Sequence, residues 1–266
     1  MAEASVHSAP TPLGVVTGAS SGIGLELARQ FAAHDIEVVL VAEDAAVHTA
    51  AAELPRAHAV QLDLTRPDSV DELVRRVAEI GEPTALAINA GTAIGGAFVH
   101  DTSMADQLAG VDLNVRSAVQ LAKALLPGMV DRGHGRVLFT SSVISVTPGP
   151  YQAVYNASKA FLKTFAGAIR TELKDTGVTV TTLMPGPTDT NFFAQADMLT
   201  TRLATSVPKD DPAKVAAQAF EAMMSGRARV IGGSPLNRLA YLSALLVPDR
   251  VMSGLHTWLS KPRPTA

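Results

Sequence analysis

The chain has 266 residues, 47% of them hydrophobic and 18% charged, which excludes disorder as its main character. A net charge of −3 with no basic block argues against nucleic acid as a partner. The absence of cysteine excludes disulfide scaffolds, thiolate metal sites and cysteine nucleophiles, and none of the seven histidines has metal-ligand spacing, so no metal site is expected.

Residues 1–12 lack both a basic and an apolar signal region and are expected to form a flexible tail. A β-branched run at Gly14–Thr17 is followed by a glycine-rich turn and a helical pattern over Gly22–Ala33. Glu37–Val41, apolar after its first residue, predicts a strand buried on both faces. Helical pattern covers Asp44–Leu54, a strand Ala59–Leu62, and a helix opens at Pro67, where proline is tolerated in the first turn. Ala85–Asn89 predicts a fourth strand, 103–130 a long helix, Arg136–Thr140 a fifth strand, Tyr151–Asp175 a second long helix and Val178–Met184 a sixth strand. Pro185–Pro212, rich in Thr, Asp and Pro, has weak periodicity and predicts a substrate-covering loop. Lys214–Ser225 is again helical, and Arg229–Ile231 is a candidate seventh strand.

This alternation predicts an α/β fold: a doubly wound Rossmann-type parallel sheet of six to seven strands with helices on both faces. One domain is expected over 13–233, with 234–266 as a helical extension of it. The longest uncharged apolar run, Leu239–Val247, is nine residues, interrupted only by Ser243. A bilayer span needs about 20, so a soluble cytoplasmic protein is expected. In the extension, Leu236, Leu239, Leu242 and Leu246, then Val251, Leu255, Trp258 and Leu259, recur at helical spacing. Packing against the protein is the simplest reading of that stripe. A subunit contact and an interfacial membrane anchor are the others.

Two features carry chemistry. Thr17-Gly18-Ala19-Ser20-Ser21-Gly22-Ile23-Gly24 joins the first strand to the first helix, and its glycines let backbone approach a ligand closely. The N–H groups and dipole of the helix that follows favour a pyrophosphate there. Tyr155 and Lys159, at i and i+4, share a helix face, so an ammonium stands where it could stabilise a phenolate and draw the tyrosine pKa toward neutrality. Ser141-Ser142, ending the fifth strand, offers a hydroxyl for a substrate oxygen. A lone Tyr-x-x-x-Lys pair is more often a surface pair.

Taken together with Asp63, Asn89-Ala90-Gly91, Asn114, Ser142 and Pro185-Gly186, all in order, these motifs make the stretch from Leu13 to Gly233 resemble a single-domain short-chain dehydrogenase/reductase. The resemblance implies a carbonyl or secondary alcohol substrate, NAD or NADP as cofactor, and a homodimer or homotetramer formed through the two long helices. It implies that Tyr155 exchanges the proton, Lys159 lowers its pKa and holds the ribose, Ser142 binds the substrate oxygen, and Asn114 anchors a relay water. An amide bonded to its own helix is the alternative for Asn114. Gly18, Ser20, Ser21, Gly22, Ile23 and Gly24 would line the cofactor, as would Asp63, Leu64, Asn89, Ala90 and Gly91. Pro185, Gly186, Thr188 and Thr190 complete that set, with Thr188 acting through its backbone. Ile88 stands where members usually have an asparagine. Glu43, after the second strand, favours NAD by repelling a 2′-phosphate, although NAD-preferring members place their acid one position earlier, at Ala42. The substrate stretches Val143–Gly149, Tyr151, Gln152 and Phe192–Leu203 are mainly apolar or small, which points to a hydrophobic substrate. A nucleotide-binding sensor without chemistry is the competing class.

Overall fold

Neighbouring residues of β1 (Leu13–Thr17) face opposite sides of the sheet, and Val15 and Val16 are both fully buried. Such a strand needs a helical layer on each face. The computed structural model, which describes residues 11–263, has these layers. Residues 1–10 of the expected tail lie outside the described residues.

Seven parallel strands lie in the order β3-β2-β1-β4-β5-β6-β7. They are β1, β2 (Glu37–Ala42), β3 (Ala57–Gln61), β4 (Pro83–Ile88), β5 (Gly135–Thr140), β6 (Val178–Pro185) and β7 (Arg229–Gly232). On one face Val15, Val39, Leu86, Val137 and Phe139 pack against Leu73, Leu121 and Leu162. These come from α3 (Pro67–Ile80), α5 (Ser117–Asp131) and α6 (Ala153–Glu172). On the other, Val16, Val38, Leu40, Ala87 and Leu138 meet Leu27 and Phe31 of α1 (Gly22–Ala33), Val47 of α2 (Ala46–Ala52), and Phe220 of α9 (Pro212–Met224). The alternation along each strand therefore divides two cores rather than separating core from solvent. The order reverses between β1 and β4, and the carboxyl ends there open the crevice where ligands bind in such sheets.

Several elements differ from the sequence pattern. The helix expected from Asp44 begins at Ala46, because Asp44 accepts the Ala46 N–H at 2.8 Å and stays outside it. The long helix over 103–130 is α4 (Met104–Val111) and α5, joined by a π-helical turn at Asp112–Arg116. The helix expected from Tyr151 starts two residues later, with Tyr151 in the left-handed region at φ 66°. The 185–212 loop is less irregular than its composition implies. It forms α7 (Phe192–Gln195) and α8 (Arg202–Ser206), with Phe193, Ala196, Met198 and Ala204 buried together.

The carboxyl-terminal stretch folds as α10 (Pro235–Ala244) and α11 (Asp249–Ser260). Its leucine stripe does not pack inward as expected. Helix α10 buries Asn237, Tyr241 and Ala244, and Leu236, Leu239, Leu242 and Leu246 are exposed. The inward face is set by Asn237, whose amide donates to Asp210 at 2.7 Å and to the Gly232 carbonyl at 2.8 Å. These two bonds fix the rotation of the helix.

Candidate active site

The turn after β1 is built by contacts that leave no room for a side chain. Gly18 has φ 68°, and a Cβ on Gly24 would lie 2.0 Å from the Gly18 carbonyl oxygen. Thr17 secures the turn from behind by accepting the N–H groups of Asn89 and Ala90, each at 3.0 Å. Asn89 donates to the Thr17 carbonyl at 3.1 Å and accepts from Thr140 at 3.0 Å, so its side chain ties β1, β4 and β5 together. Ser21, at the N-cap of α1, makes no side-chain cap, and the first-turn N–H groups have no helical carbonyl to reach. A pyrophosphate is the chemistry such a cradle accepts.

Gly24→Ala tests the cradle. Its methyl would meet backbone, so α1 must shift, at a cost of about 2 kcal/mol and with loss of dinucleotide affinity. A thermal melt and a dinucleotide titration measure both effects.

Beyond the turn, a cavity of about 550 Å³ runs across the carboxyl ends of the strands. Gly18, Ser20, Ser21, Gly22, Ile23 and Gly24 line one end, with Glu43, Asp63 and Leu64 beside them. Asn89, Ala90, Gly91, Pro185, Gly186, Thr188 and Thr190 line the middle, and Ser142, Tyr155 and Lys159 the far end. Asp63 turns one carboxylate oxygen to Thr65, accepting both its N–H and its hydroxyl, and is not a helix cap. Thr188 donates its hydroxyl to the Gly186 carbonyl at 3.0 Å.

Asn114 alone of the predicted set stands behind the wall, 1% exposed. It sits in the π-helical turn and bonds across to another element rather than to its own helix. Its oxygen accepts the Thr92 N–H at 2.9 Å, and its amide donates to the Thr92 carbonyl at 2.8 Å and to the Ser158 hydroxyl at 3.0 Å. Ser158 in turn donates to the Tyr155 carbonyl at 2.7 Å. A Cβ on Gly91 would lie 3.0 Å from Lys159 Nζ and 3.1 Å from Asn114 Oδ1, so the missing side chain keeps a polar gap between them.

Lys159 is 3% exposed and donates to the Thr140 carbonyl at 2.9 Å. Burial pushes its ammonium down to about 8. Its Nζ lies 5.6 Å from the centroid of the Tyr155 ring. Burial pushes the Tyr155 phenol above its ordinary value, while a hydrogen bond with Ser142 pulls the other way. The expected lowering by Lys159 is therefore not present in this arrangement. The Lys159 ammonium is turned toward the Thr140 carbonyl, and the phenol is raised by desolvation.

Val143, Ile144, Phe192, Phe193 and Leu203 give the cavity an apolar wall, with the polar Gln152, Asn191 and Gln195 among them. Phe192 leans on the Tyr155 ring, with centroids 5.2 Å apart. Of the expected substrate stretches, Val143, Ile144, Gln152, Phe192, Phe193, Gln195 and Leu203 line the cavity, whereas residues 145–149, Tyr151, Ala194 and residues 196–202 do not. Three contributors were not legible beforehand. The Thr140 carbonyl holds Lys159, Ser141 donates to the Lys159 carbonyl at 2.7 Å, and Ser260 of α11 accepts from Gln152 at 3.1 Å. The last pair is 108 residues apart, and no spacing rule reaches that far.

A family model for short chain dehydrogenases matches residues 14–198. The chain belongs to the short-chain dehydrogenase/reductase family. This enzyme is 34% identical over 187 residues to an uncharacterized short-chain type dehydrogenase/reductase of Sinorhizobium fredii, covering 68% of the chain and 72% of the relative. It is 35% identical over 184 residues to a sulfoacetaldehyde reductase of Chromohalobacter salexigens, covering 66% and 72%. A short-chain dehydrogenase from Sphingobium yanoikuyae in complex with NADPH superposes with a TM-score of 0.79 at 28% identity, covering 96% of this chain and 98% of that one. Among the described residues of this family member no helix is long and apolar enough to cross a membrane.

Proposed function

We propose that this short-chain dehydrogenase/reductase transfers a hydride between a nicotinamide dinucleotide and a hydrophobic carbonyl or secondary alcohol, with Tyr155 as acid and base. The observation that carries this is the convergence of Tyr155, Ser142 and Lys159 on one end of a cavity whose other end is an anion cradle. The bound nicotinamide supplies or accepts the hydride. Ser142 holds the substrate oxygen, and Tyr155, neutral and half-buried, donates its proton to that oxygen as charge develops. The polar gap beside Gly91, within reach of both Lys159 and Asn114, offers the proton a route back to the phenol. A panel of ketones and alcohols, followed by nicotinamide absorbance, tests the reading. No turnover on any of them would overturn it.

The apolar wall favours an uncharged substrate, because Lys159 is the one cation among the described residues lining the cavity. The same scarcity supports NAD over NADP. Glu43 lies exposed at the adenosine end, and Arg66, Arg75 and Arg76 line a neighbouring groove with it. The Sphingobium relative holds NADPH. Glu43→Arg is expected to shift the NAD to NADP ratio of kcat/KM toward NADP on the order of ten-fold. A wild-type preference for NADP would overturn the choice, and an unchanged ratio in the variant would remove Glu43 from it.

The subunit contact of this reading lies on the long helices. Met104, Leu108 and Val111 of α4 and Phe161 of α6 are exposed apolar side chains. Leu108→Glu should therefore lower the molar mass in light scattering. A monomeric wild type would end this part of the reading.

A further inference from the structure

Helix α10 carries its amphipathicity inverted. The side chains it buries include an asparagine and a tyrosine, and the side chains it turns outward are leucines, Leu236 at 66% exposure, Leu239 at 64% and Leu242 at 47%, continued by Leu246 in the turn that follows at 85%. Helix α11 repeats the pattern, burying His256 and Ser260 and exposing Val251, Leu255 and Trp258 along one stripe. Exposed apolar residues scattered singly need no explanation, but two consecutive helices presenting whole stripes do. Both helices are held firmly. Arg202 stacks on the Trp258 ring at 4.8 Å and donates to its carbonyl at 3.0 Å, and His256 bonds the Pro150 carbonyl at 3.2 Å. The outward stripes are a built surface.

The charge around the stripes indicates what meets them. Residues 235–263 carry Arg238, Arg250, Lys261 and Arg263, all exposed, against the single acid Asp249, although the whole chain has more Asp and Glu than Lys and Arg. A second copy packed symmetrically on this face would set these cations against themselves. An anionic lipid surface complements them and takes up the leucines at the same time. We propose that α10 and α11 dock the protein on an anionic lipid surface, lying in the interface rather than crossing it. The surface borders α8 and the residues next to the catalytic helix, so the entrance of the substrate cavity would sit near the lipid. This docking stands apart from the hydride-transfer reading and does not require it.

The test uses the full chain with vesicles of phosphatidylcholine alone and of phosphatidylcholine with phosphatidylglycerol. The wild type should sediment with the anionic vesicles, less so at raised salt, and remain in solution with the neutral ones. Replacing Leu239, Leu242 and Leu246 together by serine should weaken partitioning about a hundred-fold, and Arg238→Glu with Arg250→Glu at least about ten-fold. Trp258 is the one tryptophan of the chain, so its emission should shift to the blue on adding anionic vesicles, a readout that needs no variant. Wild-type protein that ignores both vesicles, or a leucine variant that partitions like wild type, overturns the proposal. It is also overturned if the leucine variant instead lowers the molar mass in light scattering while vesicles leave the wild type untouched, because the face is then a subunit contact.

Discussion

Tyr155→Phe is expected to lower kcat by about a hundred- to ten-thousand-fold while dinucleotide affinity stays within a factor of a few. The phenol lines the end of the cavity that Ser142 and Lys159 also line, beside the apolar side chains Val143, Ile144 and Phe192. Phenylalanine keeps the ring against Phe192 and removes only the hydroxyl. The anion cradle lies at the opposite end, around Gly18 and Gly24, so binding is decided elsewhere. Steady-state kinetics together with a dinucleotide titration separate the two effects. Activity within ten-fold of wild type would remove Tyr155 from the chemistry.

Lys159→Met is expected to move activity and stability in opposite directions. Turnover should fall by about a hundred-fold or more, because the gap beside Gly91 loses its ammonium. Stability should rise. The ammonium is 3% exposed, and its pKa falls from 10.5 unfolded to about 8 folded, so below pH 8 burying the charge costs about 3 kcal/mol. The lost bond to the Thr140 carbonyl offsets part of this, leaving a gain of about 1–2 kcal/mol and a Tm increase of a few degrees. The sign follows from linkage. A lysine with a depressed folded pKa destabilises the folded state while protonated, and the penalty fades as pH rises from about 8 to 10.5. The variant's advantage should therefore shrink over that interval. A Tm difference that is constant from pH 7 to 10.5 would place the stabilisation elsewhere.

The sequence by itself determined whatever depends on short-range order. Strand and helix alternation, the β1 turn with its three glycines, and the shared helix face of Tyr155 and Lys159 follow from periods of 2 and 3.6 residues and from backbone sterics. The cavity gathered the expected cofactor positions because βαβ connections bring the strand carboxyl ends to one edge. Tertiary structure decided everything that depends on rotation about a helix axis or on partners far along the chain. Asn114 reaches Thr92 and Ser158, 22 and 44 residues away, from a π-helical turn that the helical pattern does not announce. Lys159 turns to the Thr140 carbonyl, and the desolvation that raises the Tyr155 phenol depends on a burial that spacing does not encode. The leucines of α10 had a periodicity legible in the sequence but not a direction. Periodicity reports that a helix has an apolar face, and the bonds of Asn237 to Asp210 and Gly232 turned that face outward.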